Sequence, residues 1–134
     1  MKIAVSAMGK TLDSDVDPRF GRSSGFVIYD TGTGQPHYVD NSARREQFRN
    51  TGIQTAQDLI EAGIDVLITG QIGPNAANVM KRSGVRVCSF NHGTVQDAVS
   101  AFEQNSLEEF EPETIERGPG KMGGRGRGGG GRRR

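Results

Sequence analysis

The second half of the chain alternates apolar runs of strand length with stretches of helical period, and this alternation restricts the fold more than any other feature of the sequence. Between Thr51 and Ala62 the apolar residues Ile53, Ala56, Leu59 and Ile60 recur at helical spacing, and Gly63 follows as a C-terminal stop. Asp65-Val-Leu-Ile-Thr69 is then a compact apolar run. Gly70-Gln-Ile-Gly-Pro74 opens a second helix over Asn75 to Arg82, and Val85 to Phe90 reads as the next strand. A last helix, Thr94 to Gln104, carries Val95, Ala98, Val99 and Phe102 on one face, with Thr94 and Asp97 near capping-box spacing. Strand-helix-strand units of this kind need right-handed crossovers and lay their strands parallel.

The first half has a different period. Lys2 to Ser6, Phe26 to Asp30 and His37 to Asn41 are short runs rich in Ile, Val, Phe and Tyr, bounded by turn residues. Thr31-Gly-Thr-Gly-Gln-Pro36 supplies a hairpin turn between the second and third runs, so an antiparallel pair is expected. The order βββαβαβα predicts an α/β fold, a mixed five-stranded sheet with helices on its faces. In open sheets of this type ligands collect beyond the carboxyl ends of the parallel strands. Three segments should meet there: Ala7 to Ser23, Gly70 to Pro74, and Asn91 to Thr94. The first is long for a connection, and such loops tend to be functional or mobile.

Composition divides the chain in two. The 17 residues from Gly118 to Arg134 comprise nine glycines, six Lys or Arg, Pro119 and Met122, with nothing that can build a core. Residues 1–116 carry all 16 acidic groups against 10 basic ones, a net charge of −6, while 117–134 carry +7. We therefore expect a folded domain over 1–110 and a disordered Gly/Arg-rich basic tail over 111–134. The tail is of the kind that binds RNA through phosphate contacts and guanidinium stacking, or that folds back on an acidic body. The single cysteine, Cys88, excludes an intramolecular disulfide and any all-cysteine metal site within one chain. The mildly apolar start is too short for a signal peptide or a membrane span, so a cytoplasmic protein is expected.

Several motifs invite a chemical reading. Asp13, Asp15 and Asp17 alternate as at the start of a calcium loop, but the required glycine and closing Glu are missing. A two-metal nuclease would place an acid on the first strand, and Lys2 to Ser6 has none. The simpler expectation is that Asp13 and Asp15 cap turns while Arg19 and Arg22 pair with acids. Gly70 to Asn75 places free backbone N–H groups at a helix start without the spacing of a phosphate loop. Cys88, His92, His37 and Met8 are, with Met1 and Met80, the soft or borderline metal ligands ahead of the tail. Alternation along its strand turns Cys88 toward the core, whereas His92 belongs to a loop at the expected functional edge.

Taken together, these blocks resemble a known family. Asp13-Ser-Asp-Val-Asp-Pro-Arg19-Phe20-Gly21-Arg22-Ser23 leads into Phe26-Val-Ile-Tyr-Asp30, then come Gly52-Ile-Gln-Thr-Ala56-Gln57, Thr69-Gly70-Gln-Ile-Gly73-Pro74-Asn75-Ala76, Gly84-Val-Arg-Val and Gly93-Thr94-Val95. The pattern resembles the dinitrogenase iron-molybdenum cofactor biosynthesis family and extends from Met1 to about Leu107. The resemblance implies a ribonuclease H-like motif without nuclease activity. It also implies a non-enzymatic carrier or chaperone of an iron-sulfur or iron-molybdenum type cluster, with cluster donor and acceptor proteins as partners. An anionic cluster would be held by amide-rich helix starts, arginines and one or two soft ligands. Arg19, Arg22, Gly70, Gly73 and His92 fit cofactor binding, with His92 and Cys88 as metal ligands. The alternative is a nucleic-acid-associated protein that binds RNA or DNA through its Arg/Gly tail.

Overall fold

The computed structural model describes residues 1–42 and 51–110, and the basic tail expected over 111–134 lies outside them. The strands are β1 (Lys2–Ala7), β2 (Gly25–Asp30), β3 (Gln35–Asp40), β4 (Val66–Thr69), β5 (Arg86–Ser89) and β6 (Glu108–Glu109). The helices, numbered within the described residues, are α1 (Thr51–Glu61), α2 (Pro74–Arg82) and α3 (Val95–Glu103). All six strands join one sheet in the order β3-β2-β1-β4-β5-β6. β1, β4 and β5 run parallel, and the β1–β2, β2–β3 and β5–β6 pairs are antiparallel.

The sheet therefore has six strands where the sequence predicts five. β6 consists of two exposed glutamates and offers no apolar pattern to read. It is held from outside instead. Glu109 lies 3.5 Å from the Arg86 guanidinium and 3.7 Å from Lys81 Nζ, and the Phe110 amide donates to the Val87 carbonyl at 2.7 Å.

Alternation along each strand loads the two faces of the sheet separately. Ala4, Phe26, Ile28, Leu67 and Val87 face Ala56 and Leu59 of α1 and Ala76 and Met80 of α2. Ile3, Val5, Val27, Ile68 and Cys88 face Val95, Ala98 and Val99 of α3. The central strand β4 is buried at all four positions, as a parallel strand covered on both faces must be. Crossovers through α1 and α2 thus bring the carboxyl ends of β1, β4 and β5 to one edge, and the loops after them form a single surface.

Candidate functional site at the carboxyl edge of the sheet

The long loop after β1 folds back over this edge and is tied down along its length. The Asp17 amide donates to the Ser6 carbonyl (2.8 Å), the Gln71 amide to the Pro18 carbonyl (2.6 Å) and the Val16 amide to the Gly93 carbonyl (2.9 Å). The loop thereby meets both other segments, as their positions after parallel strands predict. Below it, Ser6 Oγ donates to the Asp17 carbonyl at 2.6 Å and shares a hydrogen bond with Thr69 Oγ1 at 2.8 Å, which joins the ends of β1 and β4.

Asp17 anchors this arrangement. Its carboxylate is fully buried, and Oδ1 accepts from the Arg19 amide (3.0 Å) and Nε (3.1 Å) while Oδ2 accepts from Nη2 (3.2 Å). A buried carboxylate requires such a partner. The hydrogen bonds and then the charge of Asp17 raise the Arg19 pKa, and half of the Arg19 side chain stays in solvent. The expectation that Arg19 pairs with an acid therefore holds. The consequence for binding is that two of its donors are already engaged. Arg22 is exposed at the end of the same loop.

Gly70 and Gly73, which look alike in sequence, differ in the fold. A Cβ at Gly70 would lie 2.8 Å from the Pro18 carbonyl oxygen and 2.9 Å from Pro18 Cα, so the close approach of loop and strand end requires glycine. A Cβ at Gly73 would meet nothing within 4 Å. Gly73 is the N-cap of α2 and makes no side-chain cap; Pro74 follows, and no acid stands in the first turn. The first-turn amides beyond Pro74 belong to Asn75, which is exposed, and Ala76, which is buried, and they lie at the positive end of the helix dipole. The start of α3 is the opposite case. Its Val95 and Gln96 amides donate to the Ser14 and Leu12 carbonyls, both at 2.9 Å, and Thr94 and Asp97 complete a capping box. Of these two helix starts at the edge, α2 is the one without a side-chain cap among the described residues.

His92 is exposed in a cleft of about 400 Å³ that is also lined by Met8, Asp15, Val16, Pro18 and Asn91. Cys88 does not reach this cleft. It is 1% exposed within the α3-side core, and burial pushes its thiol pKa up, with smaller effects from Arg86 and Lys81, which lower it, and Glu109, which raises it. His37 lies at the other end of the sheet, in a groove of about 520 Å³ with Lys2, Asp30 and Gln35. Among the described residues, no three His, Cys, Asp or Glu side chains come together as a metal site. Pro18 and Asn91 are contributors that the motifs did not single out, Met8 stood only among the soft ligands, and Asp17 stood only in a rejected calcium-loop pattern. The alternating aspartates were the available signal for Asp17, but its burial depends on the tertiary fold.

The dinitrogenase iron-molybdenum cofactor family matches residues 1–105, which contain every element of the sheet but β6 and the whole carboxyl edge. The chain belongs to this family. The family's fold is also seen in solved structures. The apo form of the orange protein from Desulfovibrio gigas is 40% identical with a TM-score of 0.78, over 81% of this chain and 92% of that one. A candidate NifB protein from Thermotoga, of the DUF35 family, is 39% identical with a TM-score of 0.71, over 81% of this chain and 91% of that one. An uncharacterised protein of Methanocaldococcus jannaschii is 26% identical over 115 residues, which is 83% of this chain and 97% of that protein. The family is thus an accessory type connected with the iron-molybdenum cofactor.

Proposed function

We propose that this family member is a non-enzymatic carrier that binds an iron-sulfur or iron-molybdenum type cluster during cofactor assembly, taking it from a donor protein and passing it to an acceptor. The observation that carries this reading is the start of α2, which has no side-chain cap among the described residues, beside the Asp17–Arg19 pair on an edge where the start of α3 is closed by its own chain. Amides at a helix start, with the helix dipole behind them, hold a sulfide-rich anion without a covalent bond, which suits a cargo that must leave again. Gly70 sets the approach of the loop, Gly73 stands at the N-cap of α2, and Arg19, Arg22 and His92 supply donors around that helix start. The strand order β3-β2-β1-β4-β5 supports the ribonuclease H-like class that the family resemblance implies. Similarity to a protein solved in an apo form also favours a group that comes and goes.

The test is anaerobic purification from a host of the same kind, followed by iron, molybdenum and sulfide analysis and a visible spectrum. Stoichiometric metal with sulfide-to-metal charge-transfer bands, weakened in His92→Ala, supports the carrier. Metal-free protein that also fails to take up added cluster removes it. The charge break near residue 117 favours a second reading, nucleic-acid association through the tail, in a chain with 1–110 as the folded unit. Truncation after Glu116 should then abolish a salt-sensitive affinity for RNA or DNA. Among the described residues no helix is long and apolar enough to cross a membrane.

A further inference from the structure

The two faces of the sheet are covered unequally. α1 and α2 pack on the face of Ala4, Phe26 and Ile28, whereas α3 is the one described helix on the opposite face, where it lies along β1. On that second face β2 and β3 present Tyr29 and Tyr38, both half-buried. Tyr29 pairs with Pro36 and Tyr38 with Val27 across the two strands, so the tyrosines are diagonal neighbours on one side of the sheet, about 7 Å apart.

Tyr38 lies across the backbone. A Cβ at Gly25 would fall on its ring, and its hydroxyl donates to the Ser24 carbonyl at 3.2 Å, so the ring rests on β2 instead of standing away from it. The ammonium of Lys10, an exposed residue of the long loop, sits over the ring at 5.7 Å from its centroid. Tyr29 reaches toward the β2–β3 turn, with its hydroxyl 3.9 Å from where Gly34 would carry a Cβ.

Two rings on adjacent strands, with a cation beside them, make a surface on which the bases of a single strand stack. A duplex keeps its base faces covered and has no use for it. The face cannot draw in a polyanion unaided, since Asp40 shares it and residues 1–116 carry a net charge of −6. The charge that can do so is in residues 117–134, at +7. β3 and β6 are opposite edges of the sheet, about 24 Å apart at ordinary strand spacing, a distance that about eight extended residues cover. Residues 111–134 are therefore long enough to bring basic groups to the tyrosines.

We propose that the β2–β3 face binds single-stranded nucleic acid by stacking bases on Tyr29 and Tyr38, with Lys10 beside them and the basic groups of 117–134 supplying the long-range attraction. This rests on the second reading above, which gave the strand phosphate contacts alone, and is independent of the start of α2.

The chain has two tyrosines, so their ring signals in NMR report on this face alone. Oligothymidylate of about 12 nucleotides is titrated into the full chain, beside an abasic strand of equal length and charge, and affinity is followed by fluorescence anisotropy. The expected result is upfield movement of both tyrosine ring signals with oligothymidylate, and binding of the abasic strand weaker by about tenfold without that movement. Tyr29→Leu and Tyr38→Leu should each weaken oligothymidylate by about tenfold and leave the salt dependence unchanged, while Tyr38→Phe keeps the parent affinity. Thermal midpoints verify that the variants fold; if Tyr38→Leu does not, Tyr29→Leu and the abasic strand decide. Equal affinity for the two strands, or parent-like affinity in the folded Leu variants, overturns the platform and leaves the tail reading standing. No binding of either strand removes both. Ring signals that move without any strand, on raising protein concentration or lowering salt, would put a second copy or the chain's own tail on the rings and overturn the proposal as well.

Discussion

At the scale of single residues, Asp17 and Arg19 form the pair with the clearest consequence. Removing the guanidinium in Arg19→Ala leaves a carboxylate buried and unpaired, whereas removing both charges leaves neither. Thermal unfolding should therefore show a larger loss for Arg19→Ala alone than for the Asp17→Asn/Arg19→Ala double variant; a double-variant loss equal to the sum of the two single-variant losses would show that the pair is not coupled. Cys88 gives a pH prediction. Its folded pKa lies above the ordinary thiol value, so the neutral form favours the folded state. That contribution is full below about pH 8.5, the value in the unfolded chain, and is lost as pH rises toward the folded pKa. Native protein should react slowly with thiol reagents, and Cys88→Ala, although less stable, should lose less of its remaining stability between neutral and alkaline pH. Alternation along β5 made the burial of Cys88 readable from sequence. The role of Asp17 was not readable, because a carboxylate two residues from an arginine on a loop is ordinarily a solvated pair, and only the fold carries it under Ser6.

At the scale of elements, the two glycines flanking Gln71-Ile72 should separate in experiment. Gly70→Ala forces Cβ against the Pro18 backbone and should cost about 1–3 kcal/mol, as overpacking does. Gly73→Ala meets no neighbour; a poorer N-cap and a stiffer unfolded chain offset each other, and the net change should stay within about 1 kcal/mol. Denaturant titration of the two variants checks the contrast. Thr94→Ala breaks the capping box of α3 and should cost about 1 kcal/mol by the same measurement. Most elements were legible because they carry period: β1, β2, β4, β5 and the three helices match their sequence predictions to within a residue or two, and β3 begins two residues earlier. β6 was not legible, since its pairing rests on Arg86, Lys81 and the Phe110 amide and not on any pattern of its own.

At the scale of the whole molecule, an acidic body is followed by a basic tail. Removing residues 117–134 changes the net charge from +1 to −6. The thermal midpoint of the truncated protein should equal that of the full chain, while retention on a heparin column should vanish; a lowered midpoint would show that the tail braces the folded domain. The convergence of three loops on one edge followed from strand order alone. Which of the helix starts on that edge is capped did not, because α3 is closed by carbonyls of Leu12 and Ser14 that lie some 80 residues away in sequence.

The stitching of the long loop also bears on timing. A site with a hinged lid can trap its occupant and let it go when the lid swings. The edge built by β1, β4 and β5 has no such hinge at Asp17, Pro18 or Gly93, whose amides or carbonyls are all in backbone hydrogen bonds. Under the carrier proposal, a cluster on this edge would stay in view of solvent throughout, its residence time set by its own contacts, and an acceptor protein could begin to engage it before it has left.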